Sequence, residues 1–334
     1  ARQTINYFVS NKTNGVIPQI LTADPDSKTA LFLVNALYFN AKWKTKFADG
    51  ASNQLFIDHS KKRTVKAMAM TEIVSDVAYY EGGTYTAATL PYKEDGYEML
   101  LIRPKDCIHP DTGSIMDLST LVGNGDDSYS LDTVLRKVMT ETSKEESHSN
   151  VRVTLPRFHV QWRAESRLKL ALQDLGLNTV FDPNLANFSG ISTEAQLYVS
   201  DIIHQADVRV HEDGTEAAAA TAVGISLTSM PLEPPHTIRF DVPFLYAILH
   251  RPTESVLFAG WVNIDALEIE ESQEVDYEGY RMLNSLESCE VSKMVMSETV
   301  TTKEKGDTKS SATLMRVQIS ALAVSLAVIM ANLL

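Results

Sequence analysis

Catalysis needs nucleophiles, general bases or metal ligands at particular spacings, and this sequence is poor in them. No G-x-S-x-G, H-E-x-x-H, G-x-x-x-x-G-K-[ST] or dinucleotide-binding glycine fingerprint occurs, and the eight histidines stand singly. An enzyme, a resident metal and a cofactor are therefore not expected. His204 lies among alternating apolar residues and reads as a hydrogen-bonded interior histidine rather than a ligand. The paired acids Glu145-Glu146 and Glu270-Glu271 sit in polar runs and read as solvated faces. Cys107 and Cys289 are far apart in sequence, which offers no C-x-x-C metal spacing and no disulfide framework.

Chemistry of another kind is written into Glu212, Asp213, Gly214, Thr215, Glu216, Ala217, Ala218, Ala219, Ala220 and Thr221. Four consecutive alanines favour a helix, with Thr215 as its cap. Every second residue tells a different story. Thr215, Ala217, Ala219, Thr221, Val223, Ile225 and Leu227 share one parity and are apolar or methyl-bearing; the other parity is small or polar. Such a segment can bury one face as a strand, yet Pro231, Pro234 and Pro235 follow it and suit an exposed loop. It reads as a two-state segment: a loop that presents a cleavable bond, and a strand whose small side chains lower the steric barrier to entering a sheet. The helix followed by an ordinary loop is the alternative.

The surrounding elements must position that segment. Residues 29–39 (TALFLVNALYF) form an apolar run read as a central strand buried on both faces. Residues 151–160 and 198–210 alternate as half-buried strands do, and residues 164–175 form a helix stopped at Gly176. Three late runs, residues 237–244, 245–250 and 255–262, suggest an antiparallel meander turning at Arg251-Pro252-Thr253-Glu254. Residues 123–150 read as a polar surface excursion. The class is α+β, with strands dominating the second half.

Charge and chain ends bound the partners. Thirty basic against 43 acidic residues give a net charge of −13, which repels phosphate backbones and excludes nucleic acid as a natural partner. Residues 267–311 are rich in Glu, Ser and Thr and read as an acidic disordered stalk. Residues 319–334 carry no charge; as a helix they span about 24 Å, against roughly 30 Å of hydrocarbon. Ser310, Ser311 and Ala312 before this tail resemble a glycolipid-anchor attachment signal, with a membrane segment or a buried end as alternatives. Asn11-Lys12-Thr13 and Asn187-Phe188-Ser189 are N-glycosylation sequons. Sequons and tail together point to an extracellular protein, secreted or anchored at the cell surface, tethered through the tail if anchored. The chain opens Ala-Arg-Gln without an initiator Met or a signal segment, so either processing removed its front or it is a piece of a longer chain.

The sequence resembles the serpins, the serine protease inhibitor family. The resemblance is carried by the hinge from Gly214 to Thr221, by Leu33-Val34-Asn35-Ala36-Leu37-Tyr38-Phe39 with Trp43, and by Leu155-Pro156-Arg157-Phe158. Leu175-Gly176-Leu177 with Phe181, Phe188-Ser189-Gly190, Asp241-Val242-Pro243-Phe244 and Phe258-Ala259-Gly260 complete it, over about residues 5–263. It implies a large mixed β-sheet with helices, a C-terminal β-barrel-like meander and an exposed reactive loop. It also implies a suicide substrate: a target serine protease cuts the loop, becomes covalently attached, and is trapped as the loop inserts between the strands holding Asn35 and His204.

The family's spacing places the cut at Thr228-Ser229, with Leu227-Thr228 and Met230-Pro231 as alternative registers, the last disfavoured by its proline. Thr228 suits elastase-like pockets and Leu227 chymotrypsin-like ones, while no Arg or Lys is at hand for trypsin-like targets. Asn35 and His204 match the pair that gates strand separation, and Trp43 with Glu212 matches the point where the loop enters. The protein would be a monomer at risk of polymerising by insertion in trans. Two departures stand out: Trp261 follows Gly260 and Asp265 follows Ile264, where the family carries Arg and Pro. Residue 5 aligns near the middle of the family fold, so residues 1–266 read as a serpin domain incomplete at its N-terminus, followed by the stalk and by residues 312–334 as the tail. A non-inhibitory serpin serving as carrier or chaperone is the alternative function.

Overall fold

A computed structural model describes residues 1–25, 31–105, 107, 115, 131–164, 166–193, 196–215 and 236–269. In chain order the elements are α1 (Arg2–Lys12), β1 (Leu31–Tyr38), β2 (Ala41–Lys42), β3 (Ser52–Asp58), β4 (Arg63–Glu81), β5 (Tyr85–Pro91), β6 (Tyr97–Pro104), α2 (Leu131–Thr142), β7 (His148–Pro156), β8 (Phe158–Ala164), α3 (Ser166–Asp174), β9 (Val199–His211), β10 (Gly214–Thr215), β11 (His236–Arg239), β12 (Phe244–His250) and β13 (Ser255–Val262). They form two compact units: residues 1–39 with 160–208, and residues 40–159 with the described residues from 209 on. Strand β9 starts in the first unit and ends in the second.

In the first unit β1 runs parallel to β9, with Leu33 opposite Ile202, Asn35 opposite His204 and Tyr38 opposite Asp207. The uninterrupted apolar run of β1 has two partners. Phe32, Val34 and Ala36 pack with Val9, Ile17, Ile20, Leu21 and Ile203, while Leu31 and Leu33 pack with Leu172, Phe181, Val199 and Ile202. Both faces are thus covered, although only Asn35 is fully buried along the strand. Helix α3 contributes Leu168 and Leu172, one turn apart, and leaves Leu170 exposed. It ends as the sequence suggests: Gly176 has φ +93°, and Leu177 N–H donates to Leu172 O.

The second unit holds an open eight-stranded sheet in the order β11-β7-β4-β5-β6-β12-β13, with β3 also on β4. Strand β4 is long enough to pair with β3, β7 and β5 in turn, and its ladder slips between Val74 and Val77, where Asp76 has φ +62°. Tyr85, Ala87, Leu100, Ile102, Leu245, Ala247 and Leu249 form a core covered by Val134 and Val138 of α2.

Several sequence expectations change here. Residues 123–150 contain the amphipathic helix α2, whose buried valines are diluted by polar neighbours in the sequence. The run 151–160 is two strands, because the chain breaks its ladder after Pro156. The late meander divides: β12 and β13 form a hairpin at one end of the sheet, while β11 lies parallel to β7 at the other. No closed barrel forms among the described residues. Strands β1 to β6 all precede residue 105, so strands do not concentrate in the second half. Cys107 is buried and disulfide-bonded, which corrects the reading that its distance from Cys289 in sequence offers no disulfide.

Among the described residues no helix is long and apolar enough to cross a membrane, and the expected tail lies outside them, as does the stalk beyond Ile269.

Candidate functional site

The segment read from the sequence as two-state begins in the second unit. Strand β9 ends at His211, the chain turns through Glu212 and Asp213, and Gly214 and Thr215 return as β10. This short strand is antiparallel to both its neighbours: Gly214 faces His211 and Lys42, and Thr215 faces Val210 and Ala41. Gly214 and Thr215, the first residues of the expected hinge, therefore occupy a strand position between β9 and β2. Gly214 is required there, because its φ is +154° and a Cβ would lie 2.1 Å from Ala41 O.

Aromatic and charged side chains hold this turn. Thr215 is completely buried, and its hydroxyl shares a 2.6 Å hydrogen bond with the hydroxyl of Tyr92. Tyr92 stacks on Trp43 with centroids 4.5 Å apart, and Phe47 meets Trp43 edge-on. The Trp43 indole N–H donates to His211 O at 2.9 Å, its backbone N–H donates to Asp213 O, and Phe47 N–H donates to Glu212 O. Burial pushes the Tyr92 phenol far up, so it stays a neutral hydrogen-bonding group.

Glu212 is 7% exposed, a costly place for a carboxylate unless it is paired. Arg157 supplies the pair: Nε lies 3.0 Å from both carboxylate oxygens and a terminal nitrogen lies 2.6 Å from Oε1. The hydrogen bond to Glu212 is the main reason that the Arg157 guanidinium is held above its ordinary pKa.

In the first unit, Asn35 and His204 meet across the β1–β9 pair, both buried. The Asn35 amide N–H donates to His204 Nδ1 at 2.9 Å, which requires a neutral imidazole protonated on Nε2. Burial lowers the His204 pKa and favours that neutral form. The Trp162 ring lies 5.4 Å away.

The structure thus brings Trp43, Glu212, Asp213, Gly214 and Thr215 together, and separately pairs Asn35 with His204. Glu216 to Thr221 and the bond Thr228-Ser229, with its alternative registers, lie outside the described residues. Asn11 and Asn187 are both exposed. The hydroxyl of Thr13, in the first sequon, is buried and donates to Val9 O, whereas Asn187 Oδ1 accepts from Ser189 N–H in an open turn. Sequence reasoning missed Tyr92 and gave Arg157 no role. Arg157 stood in the quoted Leu-Pro-Arg-Phe motif, but nothing local says that its partner is Glu212. No grouping of His, Cys, Asp and Glu able to hold a metal occurs among the described residues.

The family model described as serpin, serine protease inhibitor, matches residues 1–264, and the chain belongs to the serpin family. It is 35% identical over 265 residues to leukocyte elastase inhibitor of Homo sapiens, an alignment covering 78% of this chain and 65% of that protein. To plasminogen activator inhibitor 1 of Neovison vison it is 32% identical, covering 78% and 61%. Among solved structures it resembles Serpin48 of the insect Tenebrio molitor, with TM-score 0.57, 26% identity and coverage of 78% and 64%. The native-state structure of the thermophilic serpin tengpin gives TM-score 0.57 and 26% identity, covering 78% and 62%. The chain spans about 65% of the length of the leukocyte elastase inhibitor.

Proposed function

We propose that the protein inhibits serine proteases as a suicide substrate, with the segment following Thr215 as the bait. The observation that carries this reading is β10: the hinge already lies as a strand between β9 and β2, and the sequence beyond it stays small and alternating. The target's serine oxygen attacks the carbonyl carbon of Thr228, the peptide bond to Ser229 breaks, and Ser229 leaves with a new amino group. The acyl ester joins loop to enzyme. Freed at one end, the loop extends β10 antiparallel to β9, parting β1 from β9 and exchanging the Asn35–His204 contact for contacts to the new strand. Insertion completes backbone hydrogen bonds and buries the apolar parity, and it distorts the target before water can cleave the ester. The bond is broken by the target, so the inhibitor supplies no catalytic group.

Thr228 before the cut directs the inhibitor to elastase-like pockets, and the 35% identity to a protein named leukocyte elastase inhibitor favours that class. A cut at Leu227-Thr228 would direct it to chymotrypsin-like enzymes. The sequons and tail favour action outside the cell or at its surface. The test is incubation with elastase-like, chymotrypsin-like and trypsin-like proteases, followed by denaturing gels and mass spectrometry of the released peptide. A covalent complex with a peptide beginning at Ser229 is expected; cleavage without a complex overturns inhibition and leaves the carrier or chaperone reading.

A further inference from the structure

After β13 the chain makes one short helical turn, Ile264–Ala266, and then runs back beside the loop base. Leu267 bridges Phe158 and Ile269 bridges Ala67, both antiparallel. Between them Glu268 N–H donates to Arg157 O at 3.1 Å, and Met68 N–H donates to Glu268 O at 2.9 Å. Arg157 is the residue between β7 and β8, and its own N–H donates to Met68 O at 2.8 Å. The peptide groups exposed by that break are thus completed by β4 on one side and by residues 267–269 on the other.

The Arg157 side chain repeats the pattern. One edge of its guanidinium grips Glu212, two residues before Gly214, and the remaining terminal nitrogen lies 3.3 Å from Glu268 Oε1. A planar guanidinium held by carboxylates on two sides cannot turn away from either without losing a charge-assisted bond. Asp265 adds a second anchor nearby through Lys61 at 2.5 Å. Main chain and side chain together therefore connect the segment after β13 to the turn from which the loop departs.

We propose that residues 267–269 form a latch that holds Arg157 on Glu212 and so slows entry of the loop into the sheet. The proposal rests on the loop-insertion reading above.

The experiment measures uptake of a fluorescent synthetic peptide copying residues 215–227 by the full chain, read as a shift on native gels over time. Glu268→Ala should take up the peptide about two- to fivefold faster than the unmodified chain, the range corresponding to loss of one partly exposed ion pair. Glu268→Arg, which repels Arg157, should be faster again, and Glu212→Gln serves as the direct disturbance of the hinge. Glu268 is exposed enough that neither change at this position threatens folding. Wild-type rates for both Glu268 variants beside a faster Glu212→Gln would overturn the latch while leaving loop insertion intact. Failure of every chain to take up peptide, Glu212→Gln included, would overturn the insertion reading and the latch with it.

Discussion

Gly214, Thr215 and Tyr92 set the loop base atom by atom, and each is open to a single substitution. A methyl group on Gly214 meets Ala41 O in a backbone conformation that side chains rarely adopt. Gly214→Ala should therefore cost about 1–3 kcal/mol in urea denaturation and loosen β10 from β2. Tyr92→Phe leaves the buried Thr215 hydroxyl without its partner, at a cost of about 1–3 kcal/mol. Replacing Thr215 by Val in the same chain should recover much of that loss, a double-mutant cycle that separates the hydrogen bond from the packing. His204 makes a pH prediction. Burial holds its folded pKa below the ordinary imidazole value of about 6.5, so the unfolded chain binds the proton more readily. The contribution is present above about pH 6.5 and is lost as pH falls below it. Thermal melts at pH 7.5 and 5.5 should show a larger drop for the unmodified chain than for His204→Gln; equal drops would remove the imidazole from the account.

At the scale of elements, burial and not composition decides which residues matter. Helix α3 presents Leu168 and Leu172 to the core around Phe181 and Ile202, while Leu170 on the opposite face is 60% exposed. Leu172→Ala should cost about 2–4 kcal/mol of stability, and Leu170→Ala should stay within about 0.5 kcal/mol, both measured by chemical denaturation. The helix was legible in the sequence because its leucine spacing and its terminal glycine agree. Helix α2 was not, because Val134 and Val138 stand in a polar stretch that resembles a loop. Strand β5 was hidden for the opposite reason. Every residue from Tyr85 to Leu90 is buried, so no alternation marks it. The late strands were seen as strands but joined wrongly, since period-two patterning records which face is buried and carries nothing about which neighbour a strand takes.

For the whole molecule the central expectation is metastability. A loop able to enter the sheet leaves the uncut protein short of its most stable arrangement, so nicking it with a non-target protease should raise the melting temperature well above that of the uncut chain. An unchanged melting temperature after complete cleavage would remove insertion from the mechanism and favour a carrier. By itself the sequence determined the family, the small alternating residues after Gly214, the acidic charge, and the placing of Asn35 and His204 on neighbouring strands, because each is written in composition, a local pattern or a motif in order. The tertiary structure alone decided that Tyr92 holds Thr215 across 123 residues, that Arg157 holds Glu212 across 55, and that Glu268 joins them. Those partners meet through strand register and chain reversal, which depend on the packing of whole sheets and leave no periodic mark on the residues that meet.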